Sequence, residues 1–422
     1  MSNRIALASG IVLLGAGAAL ATNARVESMG KHATYFMDDV SVWSNPANAN
    51  LYPNYLLGEL GTLRNSTEDT TNYKGFSRYN RDPKDPWFGA IFAKSFSPDV
   101  AGGNRYPQAV IGGAFNRGSE WDAYFPRAIS LKGVATPFAT ETPVKFDGLL
   151  GAAFGNGLLV GVGTRLAYGD SSSGNDQVTS VMSVNTIGVN APLGQGVDLE
   201  ATATVAFLDA KIKDGSTSYG GEFEPSFGAS ARTFISAPQI FGVIVPAVSF
   251  RSITAPGLER TEFRIGSGAN VSLDRGFFWM GVDYFNNAFD QNLLGKTLPN
   301  TPSSADIAIG DYVTSVTENG LRVSFGIERN IWTDWFVIRV GGQKVIANRD
   351  YSKNTEDNSR IVTNPNGGDP ENDLVSFGFG LNIEDKLKVD AVMAKDILYT
   401  GGALLGGPTD HILSRISASY SF

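Results

Sequence analysis

Val197-Asp198-Leu199-Glu200-Ala201-Thr202-Ala203-Thr204-Val205-Ala206-Phe207 carries apolar side chains at every odd position and polar ones at almost every even position. Successive residues of a β-strand point to opposite faces, so this stretch has one greasy and one wet face. The same alternation recurs in 158–167, 263–273, 321–328, 375–383 and 387–393. Each stretch has about ten residues, the length with which a tilted strand crosses the hydrocarbon core of a bilayer. The apolar stripes are nearly free of charge. The polar stripes carry both signs, at Arg165, Asp198, Glu200, Glu222, Glu224, Arg232, Arg264, Arg322 and Glu328. A Lys or Arg facing lipid at the bilayer midplane costs about 2–4 kcal/mol, so the clean stripe is expected to face lipid and the charged one to line a lumen.

Composition agrees. The chain has 422 residues, 34 Lys+Arg against 42 Asp+Glu, 49 glycines, two histidines and no cysteine. The missing thiol excludes disulfides, cysteine-ligated metal centres and a lipid anchor on cysteine. A net charge of −8 with no basic stripe argues against a nucleic-acid partner. No cofactor is expected. Residues 1–21, with Arg4 followed by an apolar run ending Ala19-Leu20-Ala21, read as a secretory signal peptide cleaved after Ala21 or as late as Ala24. The expected fold class is all-β, a transmembrane antiparallel β-barrel of 14 to 16 strands over residues 55–422, in the outer membrane of a Gram-negative-type bacterium.

Connection lengths supply an independent check, because such barrels alternate short periplasmic turns with longer outer loops. Short connections are predicted at 155–157, 192–196, 236–239, 274–276, 330–334 and 384–386. Longer ones are predicted at 169–177, 209–221, 254–262, 287–319, 346–373 and 397–411. This gives 13 strands from about residue 145 onward. An even total then needs an odd number upstream: 55–63, 86–96 and 106–116 make sixteen, and a single one makes fourteen. Asn319-Gly320 has the composition of a tight hairpin turn, and parity assigns it instead to an outer loop or its border.

Downstream of the leader the chain reads Ala24-Arg25, Met29-Gly30, Asp38-Asp39 and Asn45-Pro46-Ala47. This order and spacing resembles the N-terminal segment of the long-chain fatty-acid transporter superfamily of outer-membrane barrels, including the shuttle barrel of type IX secretion systems. Arg25, Met29, Gly30, Asp38, Asp39, Asn45, Pro46 and Ala47 occupy the matching positions. The chain departs from the family after Met-Gly, with Lys31, His32, Tyr35 and Phe36 where small residues are common. The resemblance implies that residues 25–54 form a hatch inside the barrel, and that hydrophobic molecules pass through an interruption in its wall. Asp38 and Asp39 are expected to anchor the hatch on lumenal arginines. Pro225 and Pro246 are candidate wall interruptions, since proline removes a ladder donor.

Three functions are compatible with these features: passive uptake of hydrophobic or amphipathic small molecules, a scaffold binding secreted or surface proteins, and a general diffusion porin. Outer-membrane lipid is the expected surrounding. The last strand alternates Ile416, Ala418, Tyr420 and Phe422 with Arg415, Ser417, Ser419 and Ser421. Its terminal aromatic resembles the signal read by the barrel-assembly machinery, a second expected partner. Asp198 is expected near Arg232 across the 209–221 loop. Asp410-His411 lacks a matching catalytic partner, so no enzyme activity is expected, and the acidic residues between Asp350 and Asp373 match no calcium-loop spacing.

Overall fold

The computed structural model describes residues 22–62, 86–96, 108–124, 144–173, 176–214, 217–220, 225–255, 258–291, 312–331, 333–355, 358–364, 374–384, 386–393 and 413–422. After one short helix, α1 (Asn23–Ser28), the chain forms β1 (Tyr55–Thr62), β2 (Trp87–Ser95), β3 (Gln108–Phe115), β4 (Val144–Ala153), β5 (Leu159–Ser173), β6 (Asp176–Gly194), β7 (Val197–Asp214), β8 (Thr217–Gly220) and β9 (Pro225–Ala237). It continues with β10 (Gly242–Ala255), β11 (Leu258–Leu273), β12 (Gly276–Gln291), β13 (Tyr312–Asn330), β14 (Phe336–Thr355), β15 (Asn358–Asn364), β16 (Leu374–Ile383), β17 (Leu387–Met393) and β18 (Leu413–Ser421).

The last ribbon returns antiparallel to the first, with Tyr55 opposite Ser421 and Glu59 opposite Ser417, so the sheet closes. β8 and β15 do not widen it. β7 pairs with β8 near its tip and with β9 below, and β14 pairs in the same way with β15 and β16. Each short ribbon is in line with the strand that follows. The result is a closed antiparallel barrel of 16 strands, the larger of the two predicted totals. Closure satisfies every strand edge, the condition for an extended backbone to sit in hydrocarbon. No described helix is long and apolar enough to cross a membrane.

The predicted short turns stand where expected. Gly157 (φ +87°) and Gly196 (φ +71°) supply the left-handed conformations that reverse the chain there. Most of the predicted outer loops are corrected. Residues 169–177, 209–221, 254–262 and 346–364 are largely strand, paired out to Ser173 opposite Asp176, Asp214 opposite Thr217, Ala255 opposite Leu258, and Thr355 opposite Asn358, and the predicted loop 287–319 is strand at both ends, to Gln291 and from Tyr312. Polar composition suggested loops, but a hairpin satisfies backbone N–H and C=O groups whatever side chains it carries. Asn319 and Gly320 lie within β13, opposite Asn286 and Phe285. Their turn-like composition loses to the pairing on both sides; a Cβ at Gly320 would crowd the β14 backbone at Ala347.

The two faces separate as the charge pattern requires. Phe88, Ile111, Phe146, Leu150, Ile187, Phe227, Ile265, Leu321 and Ile346 are exposed on the outside. Glu59, Asp147, Arg165, Glu200, Asp283, Arg322, Arg339, Asp390 and Arg415 are buried on the other face. A water-soluble protein does the reverse.

Candidate functional site

Residues 22–54 are built from three short turns, each started by a side-chain cap. Thr22 accepts from the backbone N–H of Arg25 to begin α1, Asp38 accepts from Val40 to begin the turn Asp39–Trp43, and Asn45 accepts from Ala47 to begin the turn Pro46–Leu51. Short polar acceptors satisfy the orphan N–H groups of such starts, and proline fits the first position of the third turn. Part of the motif is therefore local structure.

The rest of it reaches the barrel wall. Arg25 is 1% exposed. It donates from Nε and Nη2 to both carboxylate oxygens of Glu328 on β13, at 2.6 and 3.1 Å, and from Nη1 to Asp38 at 3.0 Å. Arg339 on β14 extends the chain of charges, donating to Glu328 at 2.5 Å and to Asp390 on β17 at 2.6 Å. The Thr22 hydroxyl donates to Asp390 at 2.9 Å. The Phe36 and Phe277 rings flank the Arg25 guanidinium at 5.7 and 5.3 Å. Buried charges survive only when paired and hydrogen-bonded, and here each cation meets two carboxylates. Burial by itself would lower the pKa of Arg25; Glu328 and Asp38 hold it above its ordinary value.

Asp38 and Asp39 divide the roles. Burial, then the neighbouring Asp38 charge, push the Asp39 carboxyl well above the usual carboxylate range, and the Tyr55 hydroxyl hydrogen-bonds to it. The expectation that the acidic pair would grip lumenal arginines is corrected. Asp38 binds Arg25 of its own segment, and the wall contributes the carboxylate of Glu328. One guanidinium, with in-plane donors on two of its edges, cross-links both.

Where the segment presses closest, the wall carries glycine. A Cβ at Gly341 would fall 2.5 Å from Met29 Cα, one at Gly163 would fall 2.9 Å from Pro46 Cγ, and one at Gly151 would fall 2.9 Å from Asn50 Nδ2. Gly161 and Gly188 lie under Pro46 and Asn45, while Gly268 and Gly281 cradle the Tyr35 ring. Gly30 returns the favour, with φ +94° and its N–H donated to Ser376 Oγ at 3.3 Å. Ala47 packs on Ala153 and Leu159, and Met29, Tyr35 and Phe36 pack on Phe234, Val245 and Trp279. His32, kept neutral by burial and by the nearby charges of Arg322 and Arg264, shares a hydrogen bond with Gln343.

The described residues among the other predicted lumenal ones have different partners. Arg165 pairs with Asp147 at 2.8 Å and with Asp122 at 2.6 Å. Arg322 pairs with Asp283 at 2.7 Å, an acceptor shared with Tyr35. Arg264 is half-buried and, among the described residues, makes no hydrogen bond or ion pair. The expected Asp198–Arg232 pair is corrected: Asp198 lies opposite Phe234, while Arg232 lies opposite Glu200 and donates to it at 2.8 Å. Arg232 also donates to the carbonyl of Ala33 at 2.8 Å, and Glu200 accepts from Asn48 at 3.2 Å. Glu222 and Glu224 lie outside the described residues, as do the leader 1–21 and Asp410-His411. Pro225 heads β9. Pro246 keeps its β11 partner Ser267, while the β9–β10 ladder lapses between Ile244 and Ala247 without a change of register. This is a missing rung and not a bulge, as expected where proline removes one donor. Asp147, Asp283 and Arg339 were not singled out from the sequence, although a lone charge in Val337-Ile338-Arg339-Val340 is a readable signal.

No family model matches the chain, and no curated protein matches it in sequence. Solved structures similar in shape include CdiB from Escherichia coli, at TM-score 0.40 and 11% identity, covering 87% of this chain. The chain spans 62% of the length of CdiB. A mutant of the TodX monoaromatic hydrocarbon channel aligns at TM-score 0.27 and 9% identity over 94% of this chain and 98% of that one. The transport unit of the autotransporter AIDA-I from Escherichia coli aligns at TM-score 0.19 and 10% identity, over 87% of this chain and 88% of that one.

Proposed function

We propose that this protein is an outer-membrane channel for the passive passage of hydrophobic or amphipathic small molecules, with residues 25–54 serving as its hatch. One observation carries this reading: the face opposite the lipid is not uniformly polar. Leu57, Trp87, Ile91, Val110 and Leu149 form one apolar tract there with Val42, Tyr52 and Tyr55, and Met182, Val184, Leu208 and Ile253 form another. Both tracts are buried, the first packed with Val42 and Tyr52 of the N-terminal segment and the second with Trp121, and exposing them to water would cost about 1.5–3 kcal/mol per side chain. Cargo that brings its own apolar area could take the place of those covering residues at lower cost. The charged network around Arg25 then acts as the fastening of the hatch and not as a selectivity filter.

Reconstitution into liposomes tests the proposal. Uptake of a lipophilic fluorescent probe should exceed that of protein-free liposomes, while planar bilayers holding the same protein should show little steady ion conductance. Large, steady conductance with no probe uptake would favour the porin. The outer connections 292–311 and 365–373, on which a protein-docking scaffold would depend, lie outside the described residues.

A further inference from the structure

A second segment, unrelated to the N-terminal motif, also turns into the buried side of the barrel. After β3, Asn116 takes a left-handed conformation (φ +61°), and Arg117–Asp122 then contact strands on two parts of the ring. Arg117 donates from Nη2 and Nε to Asp147 of β4, at 2.8 and 3.2 Å, and stacks at 5.0 Å on Trp43 of the N-terminal segment. Asp122 receives Nη2 and Nε of Arg165 on β5, at 2.6 and 3.1 Å, and lies 3.4 Å from Lys145 Nζ. Arg165 further donates to the Arg117 carbonyl at 2.7 Å. Glu120 reaches β10, with β6, β7 and β9 between, and pairs there with Arg251, whose guanidinium also lies 5.9 Å from the Trp121 ring and 3.6 Å from Glu262. Trp121 packs against the apolar tract of Met182, Val184, Leu208 and Ile253.

The two ends are unequal. The Arg117–Asp147–Arg165–Asp122 end is largely buried and multiply hydrogen-bonded, whereas the Glu120 side chain is 69% exposed and the Arg251 side chain 28%. Exposed ion pairs contribute little and break readily, while a buried bidentate network does not. Arg251 lies against the Glu120 carboxylate and favours its ionised form.

We propose that Arg117–Asp122 is a strap on the outer side of the lumen, hinged at the Asp147–Arg165 end and released at the Glu120–Arg251 end. Release lifts Trp121 and uncovers the tract beneath it. This strap is a different stretch of chain from the N-terminal hatch, which it touches at Trp43. It rests on the barrel and its lumen, and it stands whether or not hydrophobic molecules are the cargo.

The chain has no cysteine, so a single introduced thiol reports unambiguously. In proteoliposomes, Met182→Cys is placed in the tract against which Trp121 packs, and its reaction with a membrane-impermeant maleimide is timed. In the otherwise unchanged chain labelling should be slow. Adding Arg251→Gln, which removes the exposed ion pair together with the cation–π contact, should speed it about tenfold, and Glu120→Gln, which removes the ion pair alone, should speed it by a smaller factor. Equal labelling rates in all three proteins, each shown by heat-modifiable gel mobility to be a folded barrel, would overturn the strap. Failure of probe uptake with accelerated labelling would reject the transport proposal and leave the strap standing.

Discussion

Arg25 Nε donates to Glu328 Oε2 at 2.6 Å across 303 positions of sequence, and it is the centre of the contact between the N-terminal segment and the wall. Removing the guanidinium leaves Glu328 and Asp38 with one buried cation fewer. Arg25→Ala should cost about 3–5 kcal/mol, the usual effect of breaking a buried pair from one side. The loss should appear as proteolytic release of residues 22–54 from an otherwise folded barrel. Arg25→Lys should recover only part of it, since an ammonium cannot hold Glu328 at two points. Protease resistance unchanged in Arg25→Ala would refute the assignment.

The glycine contacts predict a steric route to the same state. Gly341→Val places methyl groups in the space of Met29 and Gly30, and should cost at least about 1–3 kcal/mol of overpacking. Gly155→Ala is the control, because a Cβ there meets nothing within 4 Å. Hydrogen exchange of residues 22–54 should quicken in the first protein and stay unchanged in the second.

Docking of the N-terminal segment should weaken as pH rises. The Asp39 pKa is raised in the folded protein by burial first and then by Asp38, so the native state keeps a proton that the unfolded chain gives up. Its contribution to stability is complete below the ordinary carboxylate range and is lost as pH climbs through the raised value. Arg25 partly offsets this, while Asp390 adds to it; Tyr52, itself raised by burial and by Asp39, stays neutral. Asp39→Asn should flatten the loss of protease resistance as pH rises above the ordinary carboxylate range. A pH profile identical in the two proteins would show that another group controls docking.

Phe422 should matter for assembly and little for the finished barrel. Its ring is 53% exposed, and it meets only Phe92 and Tyr420 among the described aromatic rings, at 5.8 and 6.4 Å. Phe422→Ala should lower the yield of folded protein in the outer membrane while changing unfolding free energy by no more than about 0.5 kcal/mol, as at other exposed sites. A large fall in unfolding free energy with normal yield would contradict this.

The N-terminal motif was legible as a motif but not as a set of contacts. Arg25, Asp38 and Asn45 could be singled out by type and spacing. Nothing local showed that Arg25 would take Glu328, or that Asp38 would turn back on its own segment, because both facts depend on where β13 lies in the closed ring. Nothing local marks the glycines at 161, 163, 268 and 341 as contact points, and only the segment pressed against them gives them meaning.

Alternation of greasy and wet residues determined the middle of each strand and its two faces, and the number of connections, though not the length of the outer ones, set the even strand count. These follow from the period of an extended chain and from the need to close it in lipid. Tertiary structure decided the register. Sliding one strand by two residues keeps every side chain on its face, so the pattern is blind to the step that separates Glu200 from Asp198 opposite Arg232. Turn geometry and the packing of residues 22–54 fix that step, and with it the partner of each buried charge.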